Sequence, residues 1–68
     1  MTITYFDKLQ CAVRELGFRR RVYARRVEQG KMTQAQADRE IAVMESIAKD
    51  YQRSAQASEP QLFPNDAA

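Results

Sequence analysis

The sequence predicts an all-α protein: an antiparallel hairpin of two long helices that pairs with a second copy to form a four-helix bundle. Apolar residues recur at alternating spacings of three and four in both halves of the chain, as in helices that pack along a seam. The link Gly30-Lys31-Met32 is short, and short links join antiparallel neighbours. A chain of 68 residues with one cysteine and no histidine has no disulfide or zinc set to stabilise it, which favours oligomerisation.

Helix 1 is expected over about residues 4–29. Thr4 is a good N-cap residue, and Asp7 stands three positions later, where it can complete a capping box. Gly17, inside the helix, is either a tolerated glycine, a point of close approach for another helix or a slight bend. The seam has one polar member, Arg20, and its apolar members are Phe6, Leu9, Val13, Leu16, Tyr23 and Val27.

Helix 2 is expected over about residues 33–54. Gly30 suits the left-handed residue that commonly ends a helix, and Thr33 with Gln36 forms a second capping box. Together the two helices make one domain, residues 1–54. The seam of helix 2 consists of Ala37, Ile41, Met44, Ala48 and Tyr51.

Arg20 would place a charge in the seam, where an unpaired charge is costly. Glu40, from the same or a second chain, is the expected partner. The alternative is that the Arg20 side chain reaches solvent along its aliphatic stem.

More apolar surface is present than one hairpin can cover. Cys11, Phe18 and Val22 lie nearly opposite the seam of helix 1, and further residues widen the apolar arc of helix 2. Cys11 is interpreted as a small buried or interfacial hydrophobe rather than a nucleophile. The predicted dimer interface consists of Cys11, Phe18, Val22, Val43 and Ile47.

Residues 55–68 are expected to form a flexible tail, because the composition turns to proline and small polar residues without a helical period. Gln61-Leu62-Phe63 either folds back on the hairpin or serves as a docking motif. This segment resembles the Gln-Leu-Phe type peptides that bind bacterial sliding clamps.

No catalytic, cofactor-binding or metal-binding residues are predicted. The absence of histidine removes the usual general base near neutral pH. No apolar run approaches the roughly 20 residues of a membrane span, and no signal peptide is recognised. We therefore expect a cytoplasmic, non-enzymatic protein without a membrane association.

The charges divide between the halves of the chain. Residues 1–31 hold eight Lys/Arg against three Asp/Glu, a net +5, and residues 32–68 hold three against six, a net −3. Arg14, Arg21 and Arg25 form a stripe on helix 1 that could meet an acidic protein surface or phosphates. The other arginines spread around the helix, which favours the protein partner over nucleic acid. The predicted partner-binding residues are Arg14, Phe18, Arg21, Val22 and Arg25.

Three segments resemble a group of short phage and prophage proteins over about residues 7–51: Phe18-Arg19-Arg20-Arg21-Val22-Tyr23, Gly30-Lys31-Met32-Thr33, and residues 37–51. The chain has Ala24-Arg25-Arg26 where proline, a basic residue and tryptophan are common in that group. The resemblance implies a phage gene expressed in a bacterium and a protein that binds and inhibits a host protein, such as a transcription regulator or a defence component. It supplies no catalytic motif.

Overall fold

The computed structural model describes residues 1–58, which form two α-helices and the turn between them. Helix α1 spans Tyr5–Glu28 and helix α2 spans Gln34–Ser58. Contacts between the start of α1 and the end of α2, such as the Tyr5 and Tyr51 rings at 6.5 Å between centroids, show that the helices run antiparallel. The predicted all-α hairpin is confirmed.

Both helices begin at the predicted capping boxes. The Thr4 hydroxyl accepts a hydrogen bond from the Asp7 amide at 3.1 Å, and the Asp7 carboxylate accepts one from the Thr4 amide at 2.9 Å. Thr33 and Gln36 make the same reciprocal pair, at 3.1 and 3.0 Å. These side chains satisfy amide groups that have no partner within the helix, so the local sequence defines both starting points.

The turn after α1 is a Schellman motif centred on Gly30. Gly30 has a φ of 72°, a left-handed conformation that glycine adopts without strain. Its amide donates to the Val27 carbonyl at 3.0 Å, and the Lys31 amide donates to the Arg26 carbonyl at 2.9 Å. The two bonds satisfy carbonyls at the end of α1 and turn the chain toward α2.

Helix α2 extends beyond the end predicted from the sequence. The expected boundary was near Ser54, but residues 55–58 are helical and Ala55 is buried. Ala55 lies four residues after Tyr51 and seven after Ala48, so it continues the seam, and the Ser58 hydroxyl donates to the Ser54 carbonyl at 2.8 Å. The first four residues assigned to the tail therefore belong to α2. The rest of the predicted tail, with Gln61-Leu62-Phe63, lies outside the described residues.

Alanine dominates the core between the helices. One buried cluster contains Ala12, Met44 and Ala48, with Leu16 and Tyr51 packed against it. Ala37 and Ala55 are buried toward the two ends of α2, and no large side chain in residues 1–58 is fully buried. Every predicted seam residue of α2 is buried or half-buried, which confirms that part of the seam.

The predicted seam of α1 is correct at four of its six apolar positions and wrong at two. Leu9, Leu16, Tyr23 and Val27 are half-buried, and Leu16 packs against the core cluster. Val13 was expected to face α2 but is 53% exposed, whereas its neighbour Ala12 is only 5% exposed. Phe6, also assigned to the seam, is 49% exposed. The prediction was wrong at these two positions because other residues also satisfy the three-four spacing, and the larger side chains were preferred. Small alanines on both helices let the backbones approach closely.

Replacing Gly17 with alanine is expected to stabilise the hairpin. An added Cβ would meet only one atom outside the local backbone, Nη1 of Arg21 at 3.8 Å, which is ordinary van der Waals contact. Alanine is favoured over glycine inside a helix by about 1 kcal/mol. The midpoint of thermal unfolding, measured by circular dichroism, should rise by about 4–8 °C. An unchanged or lower midpoint would mean that Gly17 has a role that the hairpin alone does not show.

Candidate functional site

Arg19, not Arg20, is the arginine that lies in the seam. Its side chain is 23% exposed, and its Nε lies 3.1 Å from a carboxylate oxygen of Glu15. Its Nη1 lies 3.6 Å from the Glu40 carboxylate and donates to the Glu40 carbonyl at 3.2 Å. Within the hairpin, the expected pairing of Arg20 with Glu40 is therefore wrong. Arg20 is 55% exposed, in agreement with the alternative in which it reaches solvent, and it pairs with Glu45 at 2.5 Å.

We expect alanine at position 19 to cost more stability than alanine at position 20. Arg19→Ala removes contacts to two carboxylates and one carbonyl, a loss of about 1–3 kcal/mol for hydrogen bonds to charged groups. Arg20→Ala removes one exposed ion pair, which is worth about 0–1 kcal/mol. Urea unfolding of the two variants measures this difference, and the midpoint of Arg19→Ala should be the lower one. Equal midpoints would contradict the assignment of Arg19 to the seam.

The ion pairs Arg19–Glu40 and Arg20–Glu45 lie on opposite sides of the hairpin. Successive helical residues are about 100° apart. Viewed from Ala12 on α1, Arg19 and Arg20 therefore lie to opposite sides of the contact with α2. Viewed from Ala48 on α2, Glu40 and Glu45 also lie to opposite sides. The pairs Arg19–Glu40 and Arg20–Glu45 thus bridge the helices along different edges.

The predicted dimer residues share the edge marked by Arg19 and Glu40. On α1 they lie about 80–120° to one side of Ala12, and on α2 they lie about 100–140° to the matching side of Ala48. Phe18, Val43 and Ile47 are exposed large hydrophobic residues, Cys11 is exposed and Val22 is half-buried. We call this set the apolar side of the hairpin: Cys11, Phe18, Val22, Val43 and Ile47.

The opposite side is apolar on one helix only. Phe6 and Val13 lie there on α1, which the sequence prediction missed because it placed both residues in the seam. The facing edge of α2 carries Asp38, Glu45 and Lys49. The two sides of the hairpin therefore differ: one has exposed hydrophobic residues on both helices, and the other pairs them with charged residues.

The arginine stripe lies on the surface of α1 that faces away from α2. Arg21 is nine residues from buried Ala12, which places it about half a turn round the helix. Within residues 1–58 no ion pair joins Arg14, Arg21 or Arg25 to an acid. Arg26, by contrast, lies over the Tyr23 ring at 5.8 Å. The three stripe arginines are therefore available to a partner.

An open depression lies within this surface at Gly17, whose missing side chain leaves space between its neighbours. Phe18 forms part of its wall, at the border between the arginine stripe and the apolar side. The residues around the depression are Cys11, Val13, Arg14, Glu15, Gly17, Phe18 and Arg21. Four of the five predicted partner-binding residues thus lie on or beside one surface of α1, and Val22 lies on its apolar edge.

Within residues 1–58, no group of three or more metal-binding side chains comes together. Neither α1 nor α2 has an apolar stretch long enough to cross a membrane.

Comparisons with known proteins add no assignment: the chain matches no protein-family model, no curated protein and no solved structure.

Proposed function

We propose that this protein acts by contact with another protein and without catalysis. The observation that carries the proposal is the surface of α1 formed by Arg14, Phe18, Arg21 and Arg25. A half-exposed aromatic ring stands beside three arginines that have no acidic partner in residues 1–58. Aromatic and arginine residues contribute most to the energy of many protein interfaces. The positive charge favours a partner with an acidic surface.

The resemblance to small phage proteins supports a more specific form of this proposal. The partner would be a protein of the host bacterium, such as a transcription regulator or a defence component, and binding would inhibit it. Phe18 and Val22 would be the apolar anchors where the host protein takes the place of a second copy of this chain, and the stripe arginines would form a charged rim beside them. The interaction would take place in the host cytoplasm.

Charge reversal tests this proposal. The wild-type chain should retain a bacterial protein from a lysate, and that protein should bind the purified wild-type chain directly. The variant Arg14→Glu/Arg21→Glu/Arg25→Glu should no longer retain it. The matched control is Arg39→Glu/Lys49→Glu/Arg53→Glu, which makes the same change of net charge on exposed positions of α2. The control should retain that protein. Equal retention by both triple variants, or no protein retained by the wild type, would contradict the proposal.

Nucleic-acid binding is the second candidate, because the same three arginines could neutralise phosphates. Three phosphate contacts predict that log K falls with log salt at a slope of about −2.7. Asp7 and Glu28 lie near the two ends of the same outer surface, which weakens this candidate. Fluorescence anisotropy with a labelled duplex across a salt series distinguishes the two. Tight, salt-sensitive binding that the α1 triple variant loses would favour nucleic acid.

A further inference from the structure

We infer that a second copy of this chain covers the apolar side of the hairpin, with α1 of each copy lying against α2 of the other. The first support is the composition of the core. Met44 is the only buried residue in residues 1–58 that is larger than alanine. Chains of this size rarely gain more than about 3–5 kcal/mol from a single core. Phe18, Val43 and Ile47 remain exposed on the apolar side, where a second hairpin could bury them.

The second support is the difference between the two sides. On the apolar side both helices contribute hydrophobic residues, so a docked copy would meet them across the full width of the hairpin. On the opposite side, a copy docked over Phe6 and Val13 would also cover Asp38 and Lys49, which make no ion pair within residues 1–58. Burying those charges without new partners would be costly. The apolar side is therefore the surface that a second copy can cover.

Charge then selects the arrangement of the four helices. Helix α1 has seven basic and three acidic residues, a net +4, and α2 has three basic and four acidic residues, a net −1. A bundle with α1 beside α1 of the second copy would bring two strongly positive helices together. Placing α1 beside α2 of the second copy puts the two positive helices on a diagonal. Complementary charge favours the second arrangement.

The register of the hairpin fits this arrangement without a shift. The pairs Arg19–Glu40 and Arg20–Glu45 bracket the levels of the two helices that are opposite each other. They place Phe18 at the level of residues 41–47 and Val22 at the level of residues 37–43. A two-fold axis parallel to the helices leaves these levels unchanged. Phe18 of one copy then meets Val43 and Ile47 of the other, and Val22 meets Val43.

The ion cluster of Arg19 with Glu15 and Glu40 lies along the same edge and would be partly covered. Arg19 already donates to a carboxylate and to the Glu40 carbonyl, with the second carboxylate nearby. Covering a charged group is tolerated when its hydrogen bonds are made. The cluster is therefore compatible with the dimer.

Disulfide trapping tests the arrangement. In a Cys11→Ser background, the chain with Val22→Cys is mixed with the chain with Val43→Cys and oxidised. The mixed disulfide should exceed both symmetric disulfides by at least tenfold. The control pair, Ala24→Cys with Val43→Cys, should give little mixed product, because exposed Ala24 is only two residues from Val22 along α1 but lies on the opposite side. A predominant Val22→Cys symmetric disulfide, or equal yields from the two pairs, would overturn the inference.

The wild-type chain provides an independent test that needs no substitution. Cys11 is exposed in the single hairpin and lies on the apolar side. Its rate constant with a thiol reagent should fall at least tenfold as the protein concentration rises from the low micromolar range to several hundred micromolar. A rate constant that does not depend on protein concentration would overturn the inference, even if the cysteine variants failed to fold.

Discussion

Replacing Met44 with alanine is expected to leave little folded protein at 25 °C. Met44 is buried at the centre of the core cluster, and its neighbours Ala12 and Ala48 are too small to fill the space it would leave. Truncating a buried methionine to alanine costs about 2–5 kcal/mol. That is comparable to the whole stability expected of a chain of this length. Far-ultraviolet circular dichroism at micromolar concentration should show most of the helical signal lost.

Met32→Ala is the matched control, because it removes the same atoms from a half-buried position in the turn. It should lower the thermal midpoint by a few degrees and leave the chain helical at 25 °C. Similar losses for the two variants would mean that Met44 does not hold the helices together.

Truncation of Phe18 and Val22 together is expected to abolish self-association while leaving the hairpin helical. Burying these two side chains contributes on the order of 2 kcal/mol per chain. The substitution occurs twice in a symmetric dimer, so the loss is about 4 kcal/mol. The dimer dissociation constant should then rise by roughly a thousandfold. Sedimentation equilibrium of the Phe18→Ala/Val22→Ala chain measures this change.

The control for this effect is Phe6→Ala/Val13→Ala, which removes the same two residue types from the opposite side. Phe6 and Phe18 are exposed to nearly the same extent, 49% and 50%. A nonspecific apolar effect would therefore be similar in the two double variants. The inference requires the dissociation constant of the control to stay within a few fold of the wild-type value. If the dissociation constant of the control rose more than that of the Phe18→Ala/Val22→Ala chain, the dimer interface would lie on the side of Phe6.

The helix starts and the turn could be predicted because their signals are local. Thr4 and Thr33 each have a reciprocal partner three residues later, and Gly30 is needed where φ is positive. None of these features depends on contacts between the helices. The seam of α2 was also predictable, since it has one set of small and apolar residues at three-four spacing.

The burial of Ala12 in place of Val13 could not be read from spacing alone. Both residues fit a three-four repeat, and hydrophobicity favours valine. The choice depends on the partner helix, since Ala12 packs beside Met44 and Ala48 of α2. The same small turn of α1 about its axis brings Arg19 rather than Arg20 into the seam, while Leu16 and Tyr23 stay half-buried as predicted.

The residues of the apolar side were predictable, but their placement along one edge was not. The sequence showed that Phe18 and Val22 could not face α2 together with the main seam. The edge of α2 that lies beside these two residues depends on how the two helices pack against each other. The ion pairs Arg19–Glu40 and Arg20–Glu45 supply that information.

The most direct test of the contact account is the molar mass of the wild-type chain in solution. Light scattering should be recorded over a concentration series, with and without a short DNA duplex at low salt. The molar mass should rise from 7.9 kDa toward twice that value as the concentration increases, and it should not change when the duplex is added. A chain that stays monomeric at every concentration, and gains mass only with DNA, would contradict the account.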